Sequence, residues 1–512
     1  MGDGTRAGLA GAAFFCSMSP ARKPAVPATL GQLRDSAWAE TPLLGRAVRQ
    51  EIRDNLARMV AAGEPIFPGI LGYDDTVVPQ LVNALLAGHH FVLLGLRGQA
   101  KSRLLRLMVR FLEPAVPVVA GCEIHDDPFA PLCADCRERI AEQGERTAVE
   151  FLPRERRYLE KLATPDVTIA DLVGDLDPIK AARHGLALAD GKAVHYGLLP
   201  RAHRGILAIN ELPDLAPKIQ VGLFNAMQEG DIQFKGHPVR LPVDLILAFS
   251  ANPEDYTARG KIITPLKDRI QAEIRTHYPQ DLEIALAITA QEVGLSGERR
   301  GRCAVPRLVR EVVEEIAFAA RRNSRVDKRS GVSQRLPISA LETGIANAER
   351  RCLINREPEA VVRIGDLYAA LPAITGKFEL EYEGELRGAA NLARDLIRSA
   401  VKAVYLRRFA PEANQRVAQW FELGGSLRMG DSEPAQRSLE RFGQIGELFA
   451  AADRLELGPS AAARVAACEF VLEGLYATGK ITRTEAHGYG AVAPRRARSL
   501  AERDDDPDEI VV

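Results

Sequence analysis

"VLLGLRGQAKSRLL", residues 92–105, decides how the rest of the chain is read. An apolar run gives way to Gly95 and Gly98, then to Lys101 and Ser102, and a helical pattern follows at once. A plain strand-to-helix turn would ask only for a glycine or two. A phosphate-holding loop asks for more: small residues that let backbone N–H groups converge on an anion, a lysine for the β- and γ-phosphates, and a hydroxyl for Mg²⁺. "GLRGQAKS" meets that list, with Gly95, Leu96, Arg97, Gly98, Gln99 and Ala100 as the loop and Lys101 and Ser102 after it. The N-terminal dipole of the helix that starts there adds to anion binding. Ala100 stands where a glycine is usual. The phosphate reading therefore depends on what other segments contribute.

The 512-residue chain is 46% hydrophobic and 26% charged, the composition of a globular protein. Its length corresponds to about three domains. Lys+Arg number 67 and Asp+Glu 68. That balance gives no general nucleic-acid footprint and leaves open only a local basic pore. No apolar run is long enough to span a bilayer. Seven cysteines, an odd number scattered along the chain, do not make a disulfide framework. A reducing, cytoplasmic compartment is the expectation. The apolar patch at residues 9–15 follows Asp3 as well as Arg6 and is weak for a signal peptide. Residues 1–30 are expected to be a disordered leader, with Met18 as an alternative start.

Residues 31–59 carry helical periodicity. Beyond them, "HFVLLGL", "RGILAIN" and "DLILAFSAN" are short unalternating apolar runs, the mark of strands buried on both faces. Helical patterns separate these runs, so residues 60–280 are expected to form an α/β layered domain with a largely parallel sheet flanked by helices. From 281 to 375 the pattern is helical, and it is again mostly helical over 386–490. The tail, 491–512, reads as disordered. No internal repeat is present.

The later apolar runs end in residues that suit nucleotide chemistry. "RGILAINELPDL" closes on Asn210 and Glu211. A carboxylate at a strand end there can take a proton from water, although a solvated glutamate after a core strand is the plainer reading. "DLILAFSANPED" closes on Asn252, whose amide is placed to hold an attacking water; alone, such an asparagine is a turn former. "ITPLKDRI" puts Arg269 at a helix end, from which it can reach the nucleotide of a neighbouring subunit. A lone arginine there is otherwise a surface ion-pair residue. Separately, "CEIHDDPFAPLCADC" (122–136) spaces Cys122, His125, Cys133 and Cys136 as two short pairs joined by a turn-rich loop. That pattern suits a structural, tetrahedral Zn²⁺, against the plainer reading of a solvent loop with incidental thiols.

The order of these motifs resembles the AAA+ ATPases, and within them the magnesium-chelatase small ATPase subunit and the MoxR-like ATPases. "GLLPRAHRGILAINELPDL" (197–215) is similar to the chelatase segment "GLLA-AHRGILYIDEVNLL". "SANPED" and "PLKDRI" match the family's "GNPEE" and "LLDRF", while "LLGLRGQAKS" is nearer the MoxR loop, in which alanine also precedes the lysine. The resemblance covers about residues 60–375. It implies an AAA+ P-loop core over 60–280 and a helical lid over 281–375; the helical C-terminal region, 386–490, lies outside it and has no assigned role. It implies ATP and Mg²⁺ as cofactors, with Mg²⁺ on Ser102, Glu211 as the base, and Asn252 and Arg335 ("SGVSQRLPISALE") sensing the γ-phosphate. Arg269 would act in trans in a ring, expected to be a hexamer. Segments 166–197 and 230–243 would be hairpins facing a pore or partner, the second around Lys235 and Gly236. The implied partner is a protein with a von Willebrand A domain, which the ATPase remodels or activates. The alternatives are the motor subunit of a metal chelatase and an ATP-gated scaffold with little turnover; a nucleic-acid motor is disfavoured by the neutral charge. One departure stands out: the family's Asp-Glu is Asn210-Glu211 here. An amide lacks the charge that attracts Mg²⁺, and Asp214 is the nearby residue in sequence that can supply it.

Overall fold

The computed structural model describes residues 26–40, 45–176, 179, 194–234, 240–253, 260–294, 302–381, 388–484 and 488–492. Its centre is a sheet of five strands: β1 (Phe91–Leu94), β2 (Tyr158–Leu162), β3 (Gly205–Asn210), β4 (Leu245–Ala251) and β5 (Ala272–Arg275). They lie in the order β5-β1-β4-β3-β2, and every pairing is parallel. The three apolar runs are the three central strands and are buried along their whole length. The edge strands, "YLEKL" and "AEIR", are only partly buried.

Successive residues on a strand face opposite sides, and the packing obeys this. Phe91 and Leu93 join Ile206, Ala208, Ile246 and Ala248 in one core. Helices α1 (Val48–Ala61), α2 (Val77–Leu86) and α3 (Lys101–Leu107) cover that face through Ile52, Leu56, Leu81 and Leu105. Val92 and Leu94 join Leu207, Ile209, Leu247 and Phe249 in the core on the other face. Register brings the functional strand ends level: Leu94 pairs with Ala251, just before Asn252, and Phe249 pairs with Ile209, just before Asn210.

Among the described residues, three antiparallel pairs decorate the core. Ala115–Val119 pairs with Val149–Pro153 and encloses the cysteine-rich loop. Gly174–Leu176 pairs with Val194–Tyr196 inside the 166–197 segment, of which residues 177–178 and 180–193 lie outside the described residues. Asp231–Gln233 pairs with Arg240–Pro242, and Lys235 and Gly236 between them also lie outside.

After α4 (Thr264–Arg269) and β5 come the long helices α5 (Leu282–Glu292), α6 (Arg307–Arg322) and α7 (Arg335–Asn355). The C-terminal part adds α8 (Ala389–Leu406), α9 (Gln415–Glu422), α10 (Ala435–Phe442) and α11 (Ala461–Ala477). Here the structure differs from the expected division at 375–386. One hydrophobic core runs from Val293 to Tyr489, and α6 lies against α8 with ion pairs Arg408–Glu311 (2.8 Å) and Arg407–Glu315. The lid and the C-terminal region are thus one helical body. It also holds a small antiparallel sheet, Leu427–Arg428, Thr482–Thr484 and Gly488–Gly490, inside the stretch expected to be helical. At the other end, Thr29 bridges to Ala148 and Leu30 opens a helix, so the last residues of the expected leader belong to the fold. The remainder of that leader (1–25) and most of the tail (493–512) lie outside the described residues. Among the described residues no helix is long and apolar enough to cross a membrane.

Candidate nucleotide site

The 95–102 loop takes its shape from two left-handed residues, Gly98 (φ 73°) and Ala100 (φ 57°). A left-handed alanine costs on the order of 1 kcal/mol, which the surrounding structure must supply. Gly95 admits no side chain: a Cβ there would sit 2.0 Å from Thr276 Oγ1 and 2.2 Å from Gln99 Oε1. Thr276 Oγ1 donates to Gln99 Oε1 at 2.7 Å, and Tyr73 Oη donates to the Gln99 carbonyl at 3.0 Å. Burial pushes the Tyr73 hydroxyl up to about 12, so it remains a donor at neutral pH.

The strand ends meet at this loop. Buried Lys101 donates from Nζ to the carbonyls of Gly95 and Leu96 (3.0 Å to the latter) and to Asn252 Oδ1 at 2.6 Å. Asn252 Nδ2 in turn donates to Glu211 Oε2 at 2.8 Å. One asparagine therefore links the loop lysine to the candidate base. Glu211 is itself left-handed (φ 55°), and its N–H donates to Ser250 Oγ at 3.3 Å. Ser102 Oγ and Ser250 Oγ both donate to Asn210 Oδ1, at 3.4 and 2.9 Å. Asn210 Nδ2 donates to Glu160 Oε1 at 2.7 Å. Glu160, on β2, also holds Arg106 of the loop helix at 2.8 Å.

A cleft of about 210 Å³ opens beside the loop, between the sheet domain and the helical body. Ile70, Tyr73, Pro279, Ile288 and Ile338 make it largely apolar, and exposed Arg335 at the start of α7 lines it together with Gly98. An apolar slot against a phosphate loop suits a purine base with its phosphates at the loop. The structure thus brings together Lys101, Ser102, Asn210, Glu211 and Asn252, while Arg335 lines the neighbouring cleft. Arg269 is engaged elsewhere on the chain. Its Nε donates to Gln228 Oε1 at 3.0 Å, its Nη1 to the Pro265 carbonyl at 2.7 Å, and its guanidinium stands 4.6 Å from the Phe224 ring. Asp214 is in the turn after Glu211; Glu160 is the carboxylate bonded to Asn210.

Glu160 and Ser250 escaped the sequence reading. Ser250 was within reach, two positions before Asn252. Glu160 was not, because it lies on an edge strand whose charges mask it and is brought in only by the pairing of Leu162 with Asn210.

The cysteine-rich loop folds differently from expectation. Cys122, Asp126, Cys133 and Cys136 place their ligand atoms within 4.8 Å of one another; His125 is not in the group. The left-handed backbone at His125 (φ 59°) turns the following residue inward, and the His125 ring lies against the His203 backbone instead. Burial holds that imidazole neutral, pushed down to about 4.

A five-stranded parallel sheet in this order, a glycine-rich loop with Lys101 and Ser102 after β1, Asn-Glu and Asn at neighbouring strand ends, and a helical body beside the cleft are the arrangement expected from the resemblance to AAA+ P-loop ATPases. Sequence comparisons give the nearer relatives. Residues 184–274 match the family described as the Sigma-54 interaction domain. The chain is 30% identical over 251 residues to the magnesium-chelatase 38 kDa subunit of Acidiphilium rubrum, covering 48% of this chain and 61% of that protein. It is also 30% identical over 258 residues to the chloroplastic magnesium-chelatase subunit ChlI of Glycine max, covering 48% of this chain and 55% of that protein. The chain thus spans between 55% and 61% of the length of these relatives. A structure of the complex between subunits BchI and BchD of magnesium chelatase is 21% identical, with 63% of this chain and 99% of that chain covered and a TM-score of 0.33.

Proposed function

We propose that the protein hydrolyses Mg-ATP in the cytoplasm and passes the resulting movement of its helical body to a partner protein, remodelling or activating it. The observation that carries this reading is the hydrogen-bonded chain Lys101–Asn252–Glu211 at the mouth of the phosphate loop. Lys101 exchanges its bonds to loop carbonyls for the β- and γ-phosphates. Glu211 takes the proton of the attacking water, oriented by Asn252. Arg335 approaches the γ-phosphate from the helical side, so the lid position reports the nucleotide state. The donor set fits Mg²⁺: Ser102 would hold the ion and Asn210 its bound water, and the ion would neutralise phosphate charge. Arg269 stands apart from these groups, which agrees with an action in trans within a ring, proposed as a hexamer. By family resemblance the partner is a protein with a von Willebrand A domain.

A second reading, the ATPase motor of a metal chelatase, is favoured by the names of the curated relatives. A porphyrin-binding subunit encoded beside this chain would favour it; a lone von Willebrand A protein would favour the first. The uncharged Asn210 favours a third, a nucleotide-gated scaffold with little turnover. Lys101→Ala tests what all three share. Binding of a fluorescent ATP analogue should be lost in this variant, and undiminished binding would refute the site.

A further inference from the structure

We propose that Cys122, Asp126, Cys133 and Cys136 form a structural zinc site built from three thiolates and one carboxylate. The four ligand atoms already lie within 4.8 Å of one another. Zinc bound to sulfur at about 2.3 Å in a tetrahedron needs ligands about 3.8 Å apart, so closure asks only for small side-chain shifts. The cluster lies against the core: Cys136 and Asp126 are 0% exposed and Cys133 is 5% exposed.

Two independent features point to a cation. Asp126 is fully buried, its Oδ2 accepts from the Cys133 N–H at 2.9 Å, and its Oδ1 has no hydrogen-bond partner at all. A buried carboxylate oxygen without a donor is costly unless something positive meets it. The sulfurs are also supplied with the N–H donors that thiolates need: Asp126 N–H to Cys122 Sγ at 3.4 Å and Cys136 N–H to Cys133 Sγ at 3.3 Å. Cys133 caps a ten-residue helix, Ala134–Gln143, and Cys136 lies in its first turn, where the helix dipole favours anionic sulfur.

Three thiolates and a carboxylate carry more negative charge than one divalent ion cancels. The N-terminal dipole of the Ala134–Gln143 helix offsets part of that charge, and the buried guanidinium of Arg204 anchors the same loop, 3.9 Å from Asp127 and bonded to the carbonyls of Pro117 (3.0 Å) and His125 (3.4 Å). Sulfur-rich tetrahedral donors select zinc over harder ions. All four positions are filled by protein, so the ion has no open site for chemistry. Its role is to close the loop between Ala115–Val119 and Val149–Pro153 onto Arg204, the residue that precedes β3.

The test is metal analysis of the full chain purified without chelators. One zinc per chain is expected. It should vanish in Cys133→Ser plus Cys136→Ser and persist in His125→Ala. Asp126→Asn should weaken retention against a chromophoric chelator by about tenfold or more. Should the double cysteine variant fail to fold, wild-type protein stripped of metal and titrated with Co²⁺ alone should develop thiolate-to-metal absorption at one equivalent, in His125→Ala as well. Absence of zinc together with no Co²⁺ spectrum would overturn the proposal. So would loss of metal in His125→Ala with full retention in Asp126→Asn, which would restore the histidine as ligand.

Discussion

Asn210 is held from both ends: its amide oxygen faces Ser102 and Ser250, and its NH₂ faces the Glu160 carboxylate at 2.7 Å. The sequence made this residue look like a lost carboxylate that aspartate would restore. The structure reverses that expectation, because Asp at 210 would set a second carboxylate against Glu160, and like charges so close cannot both ionise freely. Asn210→Asp alone should therefore raise the Mg²⁺ concentration needed for half-maximal ATPase rate. Asn210→Asp with Glu160→Gln should bring it back to or below the wild-type value. A lower requirement in the single variant would show that Glu160 does not constrain the position. Legibility at this scale followed chain continuity. Lys101, Ser102, Glu211 and Asn252 each sit inside a short motif at the end of an apolar run. Glu160 sits in "YLEKL", and Asp126 was hidden behind His125 by one left-handed residue. Neither register nor a local φ is written in residue spacing.

Helix α6 carries Glu314 into the core of the lid, where Thr289 Oγ1 and Gln334 Nε2 (3.1 Å) donate to it. Gln334 also accepts from Arg321 at 2.9 Å and immediately precedes Arg335. Burial pushes the Glu314 carboxyl up from its ordinary 4.5 to about 7. Between those values the folded state holds a proton that the unfolded state releases. This group therefore supports folding below about pH 4.5, and its support is lost as pH rises to about 7. Relative to Glu314→Gln, wild-type protein should lose on the order of 1–3 kcal/mol between pH 5 and pH 8. Parallel melting curves across that range would contradict the assignment. Elements were legible where periodicity was strong: the three central strands and the long helices stood out. The edge strands and the small C-terminal sheet did not, because short, half-buried, charged strands lack an apolar run.

Across the whole molecule, two bodies meet at the cleft. Arg97 of the phosphate loop reaches the helical body through Glu379 (2.5 Å) and the Ser330 carbonyl (3.4 Å), while Tyr278 Oη donates to the Arg97 carbonyl at 2.9 Å. The helical body is stiffened by close packing: a Cβ on Gly474 would lie 1.9 Å from the Tyr405 ring, and Tyr405 stacks 4.9 Å from Phe409. Under the proposed function, a shift at the loop would be delivered to lid and C-terminal helices together. The sequence could not show this union, since a core shared by residues 293 and 489 leaves no mark at the apparent boundary between them. The proposed function rests on Glu211 as the base of a nucleotide-bound site. The most direct measurement compares ATP binding and phosphate release in wild type and Glu211→Gln. The variant should bind ATP as wild type does and release phosphate at least about a hundredfold more slowly. Unchanged phosphate release in Glu211→Gln would contradict the account.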